Sequence, residues 1–414
     1  MTAPGDPGLG RGRDGGHKLR RALTTPMLTL YGLGVTIGAG IYVLVGEAAS
    51  VAGQYAATSF MVAALVVAFT ALSYAELSVR LPVSAGEAAY VEVGLGSKWF
   101  ATLVGLTVAA SGVVSAAAIS IGAAGYLYDF FAVSERFWIL AVVAAMGAIA
   151  LWGIAQSVTV AAVITVIEVL GLLVVVVWGL FMANPAGVPL EDTVPDFDPA
   201  HWKGVAAASL LAFFAFVGFE DMANVAEEVQ RPAYTMPRAI FWTLLIATLL
   251  YVATTSAVIV AVPLTELASS SAPLALVFQD APQSLRNAFG FVAIVATVNG
   301  VLIQIIMASR VVYGLADRGH LPSVLARVSK RTHVPALATF LIVGLVAIFG
   351  LSLPIAALAE HTSQLVLAVF ISVNLALIWM KRRGELGRGA FQVPFIVPVL
   401  GMITSTGLLA TSFL

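Results

Sequence analysis

The sequence predicts an all-α integral membrane protein with about eleven transmembrane helices, and three observations lead to this prediction. The 414 residues are 60% hydrophobic and only 10% charged, whereas a soluble domain carries roughly 25% charged residues. Apolar runs of about 20 residues recur along the chain, and each is long enough to cross the hydrocarbon core of a bilayer. The basic residues, finally, collect on one side of the topology that these runs define.

Eleven apolar runs give the predicted order of spans. They lie near residues 25–49, 55–80, 99–127, 136–154, 158–182, 204–228, 238–262, 288–309, 335–353, 355–380 and 394–414.

The distribution of lysine and arginine predicts the orientation. With the amino terminus in the cytoplasm, every basic residue except Arg136, Lys203 and Arg286 falls in the cytoplasmic tail or in a cytoplasmic loop. An error in the span count would reverse all later loops and destroy this bias. The Gly-rich, basic segment 1–24 has no apolar stretch that a signal peptide requires, so we interpret it as a disordered cytoplasmic tail. We therefore predict a multi-pass protein of the inner cell membrane with a cytoplasmic amino terminus.

Composition also excludes several classes of site. The chain has no cysteine, which removes disulfides and thiolate metal sites. Its five histidines are scattered without metal-ligand spacing, and no phosphate-binding loop points to a primary ATP-driven pump. No cofactor, metal or nucleic-acid partner is predicted, and the expected surroundings are membrane lipid.

The first span contains an unusual glycine cluster. Gly38 and Gly40 lie one residue apart near mid-span, and each weakens a helix by about 1 kcal/mol relative to alanine. An unwound turn there would leave backbone N–H groups unpaired at the start of the outer half-helix, where they and the helix dipole favour a carboxylate. Gly32 and Gly34, earlier in the same span, fit close helix packing equally well.

The sixth span combines a mid-membrane glycine with acids. Glu220 and Asp221 follow Gly218 within an aromatic setting. A carboxylate near the bilayer centre costs at least ~2.5 kcal/mol on insertion scales, which makes it a functional candidate. The alternative is that both acids only solvate a water-filled vestibule. Glu227 and Glu228, beside Arg231, are interpreted as a structural ion-pair cluster.

The two interrupted spans are five spans apart. A repeat of five spans inverts its second copy, and paired broken helices at corresponding positions are typical of inverted-repeat transporters with a midplane site. We therefore predict a first repeat at 25–182, a second at 204–380 and an additional helix at 394–414.

Four segments resemble the amino acid-polyamine-organocation permeases. They are GVTIGAGIYVLVGEAA (34–49), SYAELSVRLPVSAGEAAYV (73–91), FFAFVGFEDMANVAEEVQRPAYTMPRAI (213–240) and ASRVVYGLADRGHLP (308–322). They follow the family's order and are spread over residues 34–322, and the first, which includes Glu47, is particularly similar to the cationic amino-acid branch.

This resemblance implies the five-plus-five LeuT-like fold and alternating access by a rocking bundle. It implies that backbone in the first break holds the substrate carboxylate, that carbonyls in the second hold the amino group, and that a phenylalanine caps the site. The residues that it assigns to the substrate are Thr36, Ile37, Gly38, Ala39, Gly40, Phe213, Phe214, Phe216 and Gly218. Glu220 stands where some relatives carry a proton-sensitive acid.

The chain departs from the family pattern in two places. Many proton-coupled relatives carry a lysine in helix 5, and this chain aligns Glu168 at or near that position. Three interpretations of Glu168 stand: a proton carrier, a ligand of a real cation, or a structural acid bonded to a neighbouring helix. In addition, eleven spans are predicted where the family commonly has twelve.

The function predicted from these features is secondary transport of amino acids, driven by protons bound at Glu168 or Glu220, with sodium as the competing ion. A polyamine carrier or an amino-acid exchanger on the same fold is the alternative, because Glu220 and Asp221 could bind a second ammonium. An enzyme is disfavoured because no cluster of nucleophile, base or metal ligands occurs. A channel is disfavoured because polar residues concentrate at two helix breaks. Symport, antiport and oligomeric state are left open.

Overall fold

The structure is a computed structural model that describes most of the chain. The described residues are 19, 21–37, 39–131, 133–183, 187–270, 273–353, 355–384 and 391–411. Within them, the side chains outside the description are those at 39, 43, 44, 125, 126, 129–131, 155, 156, 210, 214, 269, 355–361, 363 and 411. Most of the predicted tail and Gly38 thus lie outside the described residues.

The described residues form α-helices without a β-strand, which confirms the predicted fold class. In chain order the helices are α1 (Thr25–Thr36), α2 (Ala39–Ala52), α3 (Ala56–Arg80), α4 (Gly86–Leu95), α5 (Lys98–Phe131), α6 (Glu135–Trp152), α7 (Ile154–Phe181), α8 (Pro199–Phe214), α9 (Asp221–Asn224), α10 (Pro232–Ala261), α11 (Leu264–Ser269), α12 (Pro273–Leu276), α13 (Gln283–Asp317), α14 (Ala336–Ser352), α15 (Ile355–Arg382) and α16 (Ile396–Thr411). Short 3₁₀ turns occur at Gly53–Tyr55, Leu190–Thr193, Ala226–Glu228 and Ser323–Ala326.

Each predicted span overlaps a helix or a pair of helices. In the described part of the chain, seven helical stretches are long and apolar enough to cross a membrane, and two shorter apolar helices lie at Ala336–Ser352 and Ile396–Ala410. The first and sixth predicted spans are each divided, into α1 with α2 and into α8 with α9. The number of membrane crossings, eleven, stays a prediction.

Helix α13 lies at the centre of the bundle. It packs against α5, α7, α6, α14 and α1, and its apolar stretch is the most buried of the seven. Close approach depends on small residues, as is common between membrane helices. A Cβ at Gly32, for example, would lie 2.7 Å from Thr243 Oγ1 of α10, so packing explains this glycine within the unbroken α1.

Candidate substrate and coupling site

The two interrupted helices meet at their breaks. Helix α1 ends at Thr36 and α2 begins at Ala39, while α8 ends at Phe214 and α9 begins at Asp221 after a turn over 215–220. Between them the backbones touch, because a Cβ placed on Gly40 would lie only 2.9 Å from the Ala215 Cα. The carboxyl ends of α1 and α8 and the amino ends of α2 and α9 are thereby brought together inside the protein.

Gly218 makes the sharpest turn of the second break. Its φ is +124°, a conformation that residues with a Cβ rarely adopt. A side chain here would also collide with Val35 of α1. The turn between α8 and α9 therefore depends on glycine both for its backbone angle and for its contact with the first break.

A buried tyrosine of α10 links the two breaks. The Tyr251 hydroxyl donates to the carbonyl of Ala215 at 2.9 Å, and the carbonyl of Thr36 also lies within hydrogen-bond distance of it. These carbonyls belong to the carboxyl ends of α8 and α1, where the helices supply no partner. One hydroxyl proton is thus shared between two helix ends that would be costly to leave unsatisfied in the membrane.

The sequence analysis did not identify Tyr251. A tyrosine in the middle of an apolar helix is a usable signal, since a buried phenol normally requires a hydrogen-bond partner. The sequence could not indicate which carbonyls it meets.

The predicted substrate residues lie around this meeting point. Thr36 and Ile37 are buried at the end of α1, and Gly40 lies in the first turn of α2. Gly38, the side chain of Ala39 and the side chain of Phe214 are outside the description.

The aromatic side chains of the second break divide between two directions. The Phe216 ring packs edge-on against Tyr251, with centroids 5.0 Å apart. The Phe213 ring faces Phe370 of α15 at 6.2 Å, and Phe219 contacts the same ring at 5.6 Å. Phe216 therefore lies beside the shared tyrosine, while Phe213 borders α15.

Both acids of the sixth span are buried and hydrogen-bonded. Glu220 Oε2 accepts from the Gly218 N–H at 2.8 Å, which closes the turn. Asp221 Oδ2 accepts from Gln304 Nε2 of α13 at 2.7 Å. Among the described residues neither acid forms an ion pair within 4 Å, so negative charge would accumulate here without a compensating cation.

Glu168 lies in a second polar cluster, between α7, α13 and α1. Its Oε1 accepts from Asn299 Nδ2 at 3.1 Å, and the same amide reaches Thr165 Oγ1 at 3.2 Å. A Cβ on Gly34 of α1 would lie 2.7 Å from that amide nitrogen. Glu168 Oε2 and Asn299 Oδ1 are buried and have no hydrogen-bond partner in the described part of the chain. The cluster presents several oxygen acceptors, and no basic side chain of the described residues contacts it.

The acids at the carboxyl end of the sixth span correct one expectation. Glu228 is fully buried, and its Oε2 lies 3.6 Å from Nε of the equally buried Arg310 of α13. Arg231, its predicted neighbour, is exposed and begins α10. The sequence distance favoured Arg231, but the fold brings α13 to Glu228 instead.

A cavity of about 290 Å³ lies apart from the breaks. Tyr42 of α2, Phe278, and Phe289 and Arg286 of α13 contribute to its wall. The cavity lies at the start of α13, and its wall residue from α2, Tyr42, follows the first residue of that helix by three positions. The cavity therefore lies beside the two breaks and does not contain them.

The chain is similar to known permeases over nearly its full length. The sequence profile of the amino acid permease family matches residues 23–414. A branched-chain amino acid permease of Bacillus subtilis is 30% identical over 94% of this chain and 87% of its own length. A vacuolar cationic amino acid transporter of Arabidopsis thaliana is 30% identical over 89% of this chain, which spans 64% of that relative.

Two further matches widen the comparison. A methylthioribose transporter of Bacillus subtilis is 28% identical over 94% of this chain. A solved structure of a Na⁺-coupled sialic acid symporter in an outward-open state superposes with a TM-score of 0.63 over 95% of this chain, at 12% identity. The structural match supports the predicted LeuT-like fold, and the relatives carry the names of transporters.

Proposed function

This chain belongs to the amino acid permease family and is a secondary transporter of amino acids, and from that premise we propose that protons bound at Glu168 or Glu220 drive its transport. The single observation that carries this proposal is the pair of buried carboxyl groups beside the two breaks, neither with a cation in contact among the described residues. Burial disfavours an ionised carboxyl that lacks a cation, so binding a proton relieves the cost.

The substrate site of the proposal lies between the breaks. The backbone N–H groups at the start of α2, at Ala39 and Gly40, receive the carboxylate, because helix amino termini favour anions. The ammonium donates to carbonyls at the end of α8, which include that of Ala215. Since Tyr251 already bonds this carbonyl, the arriving ammonium and the tyrosine hydroxyl compete for one acceptor. Phe216 closes the site from the side of α10.

Glu168 supplies coupling through its position. It contacts α13 through Asn299 and lies beside Gly34 of α1, so a change in its charge acts on the helix that forms the substrate site. A ligand couples to a conformational change only through different affinities in the two conformations. A sodium ion held by Glu168, Asn299 and Thr165 is the alternative, because hard cations prefer such oxygen ligands. The symporter of similar fold is Na⁺-coupled.

The side-chain specificity of the substrate is a further choice within the proposal. The named relatives carry branched-chain and cationic amino acids, and one carries methylthioribose. Glu220 and Asp221 favour a second candidate function, an amine or polyamine carrier, because two buried acids provide a place for another ammonium. Cationic amino acids are slightly favoured by Glu47 and by the similarity of segment 34–49 to cationic amino-acid transporters.

The proposal places the transporter in the cell membrane with its amino terminus in the cytoplasm. The basic loops support this orientation. The proposal also assigns residues 25–182 and 204–380 to the two inverted repeats and residues 394–414 to an additional helix.

Uptake into proteoliposomes with imposed gradients tests the coupling. We expect an inward proton gradient to drive uptake without sodium, and Glu168→Gln or Glu220→Gln to remove the pH dependence. Glu135→Gln is the matched control, since Glu135 is exposed at the start of α6. Uptake that requires sodium, or that ignores both gradients as in an exchanger, contradicts the proposal.

A further inference from the structure

A short helix outside the predicted spans holds the cytoplasmic end of the second break. Helix α4 begins at Gly86, in the loop between the second and third predicted spans. The Gly86 N–H donates to Asn224 Oδ1 at 3.1 Å, and Asn224 Nδ2 donates back to Glu87 Oε1 at 3.1 Å. One asparagine at the end of α9 is therefore bonded in both directions to the start of α4.

Glu87 is buried without a cation. It is 1% exposed, its Oε2 has no hydrogen-bond partner, and it forms no ion pair in the described part of the chain. The hydroxyls of Tyr74 on α3 and Tyr90 on α4 interact electrostatically with this acid. A carboxyl group with an unsatisfied oxygen in such a setting has a strong physical reason to hold a proton.

The charged groups around Glu87 are of one sign. Glu220 and Asp221, from the second break, both interact with it electrostatically. Helices α5 and α15 also pack against α4. Their nearby basic residues lie towards its other end, where α5 begins at Lys98 and Arg383 donates to the Val93 carbonyl at 3.2 Å. In the described part of the chain, no positive charge is thus placed to balance Glu87.

The far end of α4 is anchored by an ion pair and by a contact with a histidine. Glu92 Oε2 accepts from Arg318, which follows α13, at 2.6 Å, and His320 Nε2 lies 3.2 Å from the same oxygen. Helix α4 is thereby fixed to α13 at one end by charge and to α9 at the other by two neutral hydrogen bonds. The Asn224 end is the weaker attachment, since bonds between ionised groups are about twice as strong as neutral ones.

We infer that Asn224 and the Gly86–Glu87 segment form a cytoplasmic gate, and that Glu87 carries a proton while the gate is closed and releases it to the cytoplasm when it opens. In that step the O–H bond of the Glu87 carboxyl breaks, the proton passes to water, and the carboxylate remains hydrated. The inference rests on the proposed function only in assuming alternating access; it adds a proton site that neither Glu168 nor Glu220 supplies.

The electrostatics of Glu87 agree with this assignment. Burial, strengthened by the negative charge of Glu220, raises the pKa of Glu87 to about 8. The closed gate therefore favours a protonated Glu87 near neutral pH, and ionisation at higher pH favours the hydrated, open gate. Opening should therefore increase as pH rises from the ordinary carboxyl range towards about 8, the pKa of the closed state, and level off above it.

Cysteine accessibility measures the gate directly, because the chain has no native cysteine. Ser84, two residues before Gly86, is 1% exposed and receives a Cys substitution. An impermeant maleimide is applied from the cytoplasmic side of inside-out vesicles without substrate or gradient. At each pH the labelling rate of Ser84→Cys is divided by the labelling rate of Ser323→Cys, whose position is exposed. This ratio corrects for the ionisation of the thiol.

The inference predicts a distinct pattern of rates. Between pH 6 and pH 8 the normalised labelling of Ser84→Cys should rise by at least about tenfold and then level off by pH 9, because each pH unit between the pKa values of the open and closed gates supplies a factor of about ten. Adding Glu87→Gln, which keeps an acceptor for Asn224 but cannot ionise, should hold the rate low at every pH. Adding Asn224→Ala should make the labelling rate high at every pH. If Asn224→Ala does not give a monodisperse protein, Asn224→Asp is used in its place.

Three results would overturn the inference. They are a pH-independent rate in Ser84→Cys alone, an unchanged pH rise in the Glu87→Gln background, and a rise that disappears with Glu220→Gln but not with Glu87→Gln. The measurement involves no transport, so proton-driven uptake can fail or succeed independently of it.

Discussion

At the residue scale, the site depends on backbone contacts that only particular side chains permit or complete. Gly40 lets the first break approach Ala215, and Tyr251 satisfies carbonyls from both breaks with a single hydroxyl. The glycines of the first span could be recognised from sequence because paired glycines at mid-membrane are unusual. The carbonyls that Tyr251 meets could not be inferred, since they belong to segments that are distant from it in the chain.

Replacement of Gly40 by leucine should abolish substrate binding. The new Cβ would lie 2.9 Å from the Ala215 Cα, so the two breaks must separate and the backbone N–H groups lose their position. Scintillation proximity binding with a labelled amino acid measures the loss. Gly344→Leu in α14 is the control, because a Cβ there meets nothing within 4 Å. Wild-type affinity in a monodisperse Gly40→Leu protein would disprove the assignment.

Removal of the Tyr251 hydroxyl should destabilise the break and alter affinity together. Tyr251→Phe leaves two buried carbonyls short of a donor, which costs about 1–3 kcal/mol. We expect a lower unfolding temperature in detergent, partly restored by substrate because the ammonium supplies a donor. Tyr234→Phe, at an exposed position, should change neither the unfolding temperature nor the affinity for substrate. An unshifted unfolding temperature for Tyr251→Phe contradicts the role given to this hydroxyl.

At the element scale, hydropathy located the long helices but not the short ones. Some predicted and observed ends agree closely, as at 55–80 against Ala56–Arg80, because membrane thickness sets the length of an apolar run. Others differ more, since α13 extends over Gln283–Asp317 where the predicted span is 288–309. Helix α4 and the pair α11 and α12 were not predicted, since they are short and bring polar residues between the spans. The carboxyl end of α3 illustrates a contact that sequence alone cannot show.

Glu76 joins three elements at that end. Fully buried in α3, it accepts from Lys381 of α15 at 2.8 Å, from Arg80 at 2.7 Å and from the Val393 N–H ahead of α16 at 2.7 Å. Glu76→Gln removes one charge from a buried ion-pair group, which typically costs about 3–5 kcal/mol. Thermal unfolding in detergent should show a clearly lower stability for Glu76→Gln than for the control variant Glu135→Gln. A change under about 0.5 kcal/mol, the range of surface substitutions, would refute this structural role.

At the scale of the whole molecule, two divided helices meet inside a bundle and bring paired helix ends together. This arrangement predicts that the α-carboxylate is recognised separately from the side chain. Amino acids should therefore outcompete the amines formed by their decarboxylation in an uptake competition assay, lysine against cadaverine being one pair. Stronger inhibition by cadaverine or putrescine than by any amino acid would favour the amine carrier instead.

Coupling of amino-acid entry to proton entry is the central claim. The most direct measurement uses proteoliposomes that contain a trapped pH indicator, prepared without sodium and clamped at zero membrane potential. On addition of an external amino acid substrate, the account predicts that the lumen acidifies, and that Glu168→Gln or Glu220→Gln abolishes the acidification. Uptake of labelled substrate with no change in luminal pH, or acidification only when sodium is present, would contradict it.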